Sequence, residues 1–121
     1  MKTRIEAFEK AIAERCKDLK AAGINSTLFW AYRRSEDSGN NIINFHDVIW
    51  DNEIEEIAEC LKANGIKEFT ISSNFSGLIT TLAEFEKHGF IMNGITDVNE
   101  EYIDFFTQER KTTKAIRMIR K

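Results

Sequence analysis

The stretch Ser72-Ser73-Asn74-Phe75-Ser76-Gly77 gathers the side chains best suited to hold a ligand. Its hydroxyls and carboxamide can donate to a phosphate or a carboxylate. It stands where a strand-like run gives way to a helical one. In α/β sheets ligands collect in the crevice beyond the carboxyl ends of parallel strands. A helix that opens there offers free N–H groups and the positive end of its dipole. Ser72, Ser73, Asn74, Ser76 and Gly77 are therefore the candidate ligand-binding residues. The competing account is plain capping, with Ser73 or Asn74 accepting from the first helical turn. The loop also lacks the spaced glycines and the lysine of a phosphate cradle.

His46-Asp47 comes next, close in sequence to Trp50 and Asp51. A histidine beside carboxylates has the makings of a general base. No nucleophile stands at a defined spacing from it, and adjacent strand residues point to opposite faces. No catalytic residue is assigned. His88 falls at a helix C-terminus, where partial positive charge is favourable. Glu55 and Glu59 share a helix face near Asp51, and a solvated acidic face accounts for them. Cys16 and Cys60 occupy apolar-phase positions of helical stretches, which favours buried free thiols over a disulfide. With two histidines at no ligand spacing they make no zinc motif. Neither a metal nor a cofactor is expected. Asn25-Ser26-Thr27 and Asn74-Phe75-Ser76 match the glycosylation pattern, which acts only on a secretory route. Phe29, Trp30 and Tyr32 form a candidate partner surface, with core packing as the competing account.

The elements that must position these residues follow from apolar spacing. Ile5, Phe8, Ile12, Cys16 and Leu19 make one stripe and predict a helix over Thr3 to Ala22, stopped by Gly23. Asn25 to Thr27 are good caps for a short helix over Leu28 to Arg34, although an aromatic run also suits a strand. Ser35 to Asn41 reads as a polar turn of some mobility. Ile42 to Ile49 reads as the first strand, and Asp51 caps a helix running to about Asn64, with Gly65 as its stop. Lys67 to Ser72 is the second strand, with Phe69 and Ile71 inward. Phe75 to His88 is a further helix, stopped by Gly89. Phe90 to Val98, Tyr102 to Thr107 and Thr113 to Arg120 read as strands, with a turn around Gln108 to Thr112. The fold class is α/β: N-terminal helices, then a β-α-β-α-β core with a mixed sheet, finishing in an antiparallel β meander. Right-handed crossovers are expected, with strands parallel where those of the core neighbour each other.

Composition sets the frame. A chain of 121 residues is expected to form one domain over 1–121, the first helix (1–23) being peripheral. With 42% hydrophobic and 31% charged residues, it has the makeup of a folded core and not of a disordered chain. No apolar run approaches the ~20 residues needed to span a bilayer, so no membrane association is expected. The charged N-terminus lacks the apolar stretch of a secretory signal, and the cytoplasm is the expected location. The net charge of −3 hides an asymmetry. Asp51, Glu53, Glu55, Glu56 and Glu59 crowd one helix, whereas Arg110, Lys111, Lys114, Arg117, Arg120 and Lys121 crowd the other end. That basic end could meet phosphates. A solvated edge strand guarded by Lys and Arg is the favoured account, and the acidic chain argues against nucleic acid.

The run Phe69-Thr70-Ile71-Ser72-Ser73-Asn74 followed by Phe85-Glu86-Lys87-His88-Gly89-Phe90 resembles the later half of the GCN5-related acetyltransferases, over about 25 residues. That family cradles acyl-CoA pyrophosphate in a glycine-containing loop. The corresponding position, Asp47-Val48-Ile49-Trp50-Asp51-Asn52-Glu53, has no glycine and would repel the anion. Over a longer span, about Ala31 to Ile119, the chain resembles a family of small bacterial proteins of unknown function, often found near mobile-element genes. Ala31-Tyr32, Ser38-Gly39-Asn40, Phe45 to Asp51, Gly65 to Ser73, Phe75-Ser76, Thr81-Leu82-Ala83 and Phe85-Glu86 carry that resemblance. It implies a bacterial origin and assigns no activity.

The function expected from these readings is non-catalytic binding or regulation, through a protein partner or as a homo-oligomer. Two alternatives are a binder of a small anionic ligand or degenerate acetyltransferase-like protein using Ser72 to Gly77, and a nucleic-acid accessory protein using the basic end.

Overall fold

The computed structural model describes residues 3–103 and 105–121. Helices α1 (Glu6–Ala13) and α2 (Ser26–Asp37) come first, followed by β1 (Asn44–Phe45), a single 3-10 turn (Asp51–Glu53) and α3 (Ile54–Ala63). Then come β2 (Glu68–Ile71), α4 (Leu78–Lys87), β3 (Phe90–Ile103) and β4 (Arg110–Arg120). The four strands form one mixed sheet in the order β1-β2-β4-β3. β1 and β2 are parallel, with Phe45 opposite Ile71. β4 runs antiparallel to both β2 and β3. The mixed α/β architecture and the closing antiparallel pair are those expected from the sequence.

The core forms because the apolar phases of both element types converge on the sheet. Phe69 projects from β2 into rings on three other elements: Phe45 at 5.5 Å, Phe85 at 4.9 Å and Phe90 at 5.2 Å between centroids. All four are buried, together with Met118 of β4 and the α3 stripe Ile54, Ile57, Ala58 and Leu61. The opposite face of β2 carries Thr70, also fully buried, so that side of the sheet holds a polar layer. α1 packs on α2 through Phe8, whose ring meets Phe29 at 5.6 Å and Tyr32 at 5.4 Å.

Six sequence expectations need correction. The helix expected over Thr3 to Ala22 stops at Ala13, because Arg15 turns left-handed (φ 52). The Cys16 N–H then bonds the Ala11 carbonyl at 2.9 Å and the Arg15 N–H bonds Ile12 at 3.1 Å, the Schellman pairing that closes helices. Ile12, Cys16 and Leu19 nevertheless pack against the core, which is why the stripe looked helical. Ser35 is no part of a mobile turn: α2 runs on to Asp37, and Ser35 and Ser38 are fully buried.

The first strand shrinks from Ile42–Ile49 to two residues. It ends where the Phe45 carbonyl accepts from both Ser72 N (3.0 Å) and Ser73 N (3.3 Å), after which the two parallel strands separate. Asp51 supplies no side-chain cap to the helix that follows; its Oδ1 lies 3.5 Å from the Thr81 hydroxyl. Tyr102 to Thr107 is no separate strand, since β3 continues to Ile103 and residues 105–107 form a turn. With β4 pairing β3 from Ile103 to Phe90, the basic C-terminal strand is an interior strand and not an edge.

Candidate functional site

Where β1 and β2 part, a chain of hydrogen bonds crosses between them. Asn44 is fully buried, and its carboxamide is used in two directions. Thr70 Oγ1 donates to Asn44 Oδ1 at 2.7 Å, and Asn44 Nδ2 donates to Ser72 Oγ at 2.9 Å. Ser72 Oγ lies 3.5 Å from His46 Nδ1. The Ser72 oxygen accepts from Asn44, which leaves its own proton to be shared elsewhere. Asn44 Nδ2 also stands 3.2 Å from each ring nitrogen, straddling the ring rather than facing one lone pair. Ser35 of α2 clamps the backbone of Asn44, accepting from its N–H at 2.8 Å and donating to its carbonyl at 3.3 Å. A hydroxyl beside an imidazole is the beginning of a nucleophile–base pair. At 3.5 Å, with Ser72 held from behind by Asn44, the arrangement serves to orient the ring.

The loop that follows is not occupied in capping. Gly77 is the N-cap of α4 and contributes no side-chain bond. Ser73 Oγ is buried without a hydrogen-bond partner, and Asn74 and Ser76 are exposed. Ser76, Gly77 and Phe75 face Val48, Trp50 and Asp51 across a hollow of about 320 Å³. Its walls are apolar and aromatic, and its one charged lining residue is an aspartate. An anion would meet repulsion there.

The three aromatic residues of α2 separate into two environments. Phe29 and Tyr32 point into the core, whereas Trp30 is 51% exposed. Helical geometry requires this division, since residues 29 and 32 lie one turn apart and residue 30 is about 100° away. Trp30 stands as a ridge between two hollows. Thr27, Arg34, His46, Asp47 and Val48 line one of about 360 Å³, in which Arg34 and Asp47 form an ion pair. Ile12, Arg15, Lys17, Leu19 and Arg33 line the other, of about 420 Å³, between α1 and α2.

Tyr32 fixes α1 to this helix. Its hydroxyl donates to Glu9 at 2.5 Å and accepts from the Ile5 N–H at 3.4 Å. Burial, then the Glu9 hydrogen bond, pushes the phenol up to about 12. Burial likewise raises the Cys60 thiol. Both cysteines are free. Among the described residues no group of His, Cys, Asp and Glu has the arrangement of a metal site.

The basic C-terminal strand is largely matched by nearby oxygens. Arg117 bonds Glu68 at 2.9 Å and Asn93 at 3.0 Å, Lys114 pairs with Asp97 at 2.7 Å, and Lys121 reaches the Glu86 carbonyl at 2.9 Å.

Residues 27–120 match a family described as a domain of unknown function, DUF7698. The chain belongs to the DUF7698 family. The DUF7698 segment opens inside α2 and takes in all four strands, the Asn44–Ser72–His46 chain and Trp30; α1 precedes it. No curated protein and no solved structure matches the chain.

Some residues of the DUF7698 site escape sequence reasoning. Asn44 and Thr70 lie inside strand-like runs, where period-two patterning marks them as the solvent side. Helices cover both faces of this sheet, so that side is buried too. Phe105 and Phe106 read as strand residues but occupy the β3–β4 turn, 82% and 92% exposed.

Proposed function

We propose that this is a non-catalytic binding protein that acts through the exposed face of α2, docking against a protein partner or another copy of itself. The observation that carries the reading is Trp30. An indole half exposed on a helix, between two hollows edged by arginines, has the composition of an interface anchor: aromatic and Arg residues dominate binding energy. Val48 and Trp50 extend the apolar surface from the loop after β1, being 38% and 65% exposed. The Ser72–His46 chain supports the reading indirectly, by fixing His46 and the loop that lines one hollow. The proposal includes the bacterial, cytoplasmic setting and mobile-element neighbourhood that the longer resemblance implies. Among the described residues no helix is long and apolar enough to cross a membrane.

A second reading rests on a separate observation, the uncapped start of α4 beside an open apolar hollow. There Ser76, Gly77 and Phe75 would take a small aromatic or apolar ligand. The element order over Phe69 to Phe90 agrees with the acetyltransferase resemblance. Asp47, Asp51 and Glu53, in place of a glycine loop, speak for a degenerate relative that takes no acyl-CoA.

The deciving comparison for the main reading is the size of the assembly formed in the source cells. Tagged wild-type protein should elute from gel filtration in a complex, and Trp30→Arg should elute at monomer size with unchanged thermal stability. Identical elution of both proteins would remove Trp30 from the interface.

A further inference from the structure

Two surface features complement each other. The first is the tip of the β3–β4 hairpin. Phe105 and Phe106 are among the most exposed large apolar residues described, at 82% and 92%, with their rings in edge contact at 5.6 Å. Adjacent exposed phenylalanines carry a large unfavourable contact with water, and such clusters mark interaction sites. In the sequence their surroundings are acidic: residues 100–109 contain Glu100, Glu101, Asp104 and Glu109 and no lysine or arginine. The cations Arg110 and Lys111 begin the returning strand, where Arg110 donates to the Glu100 carbonyl at 3.1 Å.

The second feature is the groove between α1 and α2. Its apolar lining comes from Ile12, Leu19 and Phe29, and its charged residues are Arg15, Lys17 and Arg33. No carboxylate lines it among the described residues. At about 420 Å³ it has room for aromatic side chains. The left-handed turn at Arg15 ends α1 early, and Arg15, Lys17 and Leu19 then line the groove opposite Phe29 and Arg33.

We infer that the Phe105–Phe106 tip of one copy docks into the α1–α2 groove of another. This deepens the reading given under Proposed function and rests on it, since Trp30 forms one wall of the groove. An apolar finger in an acidic stretch of sequence fits an apolar groove with a basic rim, and both are parts of one chain. Tip and groove are different surfaces, so the contact is heterologous. It propagates to rings or open chains unless two copies exchange tips reciprocally.

The test uses the purified full chain alone, by sedimentation velocity across a dilution series. Wild-type protein is expected to associate with increasing concentration, and to dissociate as salt screens the charged rim. The tip variant Phe105→Ser/Phe106→Ser and the groove variant Lys17→Glu/Arg33→Glu should each remain monomeric. Both change partly or fully exposed side chains, and circular dichroism verifies that they fold. Mixing the two variants restores one intact tip and one intact groove, so a 1:1 heterodimer that grows no further is expected. A wild-type protein that stays monomeric throughout overturns the inference, as does association that survives the tip variant or a mixture that stays monomeric. If wild type is monomeric alone yet its complex from source cells still depends on Trp30, the self-docking falls and the Trp30 interface stands.

Discussion

The carboxamide of Asn40 fills both backbone hydrogen-bonding positions of Asn99: Nδ2 donates to the Asn99 carbonyl at 3.1 Å, and Oδ1 accepts from its N–H at 2.8 Å. One side chain thereby does for this point of β3 what a neighbouring strand would do. β3 lies at the edge of the sheet, and uncovered edges invite pairing with other chains. Asn40 is held in place because Gly39 turns left-handed (φ 74), letting the Asn40 N–H bond the Ser35 carbonyl at 2.9 Å. Asn40→Ala is expected to cost about 1–3 kcal/mol, the range for leaving partly buried groups unpaired. Asn40→Asp should lose a similar amount, because a carboxylate cannot donate to the Asn99 carbonyl. Faster hydrogen exchange at the Asn99 amide, with a lowered urea midpoint, would bear this out; unchanged exchange would show that the clamp contributes nothing.

Arg15 carries a backbone strain that glycine would relieve. At φ 52 its Cβ crowds the carbonyl oxygen, which costs a non-glycine residue roughly 1–2 kcal/mol. Glycine's greater freedom in the unfolded chain offsets part of that gain. Arg15→Gly is therefore expected to stabilise the protein by up to about 1 kcal/mol, seen as a raised urea midpoint at unchanged slope. A fall in the midpoint would mean that the arginine side chain contributes more than its backbone costs.

The Tyr32 phenol gives stability a dependence on high pH. Its pKa stands at about 12 in the folded protein against an ordinary 10.0. The folded state therefore holds the proton more tightly, so its contribution is complete below pH ~10 and is lost as pH rises towards ~12. The full effect is on the order of 3 kcal/mol. In absorbance titrations at tyrosinate wavelengths, the difference between wild type and Tyr32→Phe should show a transition delayed well beyond pH ~10. A difference curve with an ordinary midpoint would place the hydroxyl in water.

Much of the fold was legible because burial on this sheet follows simple periods. Phe69 and Ile71 alternate inward, the α3 stripe recurs at helical spacing, and Gly65 and Gly89 end their helices in left-handed turns as expected. What failed had two physical causes. Apolar spacing reports which residues face the core and not how the backbone carries them there, so Cys16 and Leu19 looked helical beyond Arg15. Polarity does not report exposure here, since Ser35, Ser38, Asn40, Asn44 and Thr70 are buried.

The candidate site was legible only in part. Ser72 to Gly77 does lie beyond the carboxyl end of β2, and Trp30 is exposed. The partner of Ser72 across the sheet is Asn44, 28 residues away, and no local pattern joins them. Strand order was equally out of reach, because the placement of β4 between β2 and β3 depends on pairing between residues far apart in the chain.

The central claim, that α2 presents the contact face around Trp30, is tested most directly by a photo-crosslinker at that position. Trp30→benzoylphenylalanine protein, irradiated in the source cells, should give a discrete adduct of higher mass. The same group at Lys87, at the end of α4, should give none. Failure of position 30 to form an adduct, or an identical pattern from both positions, would contradict the account.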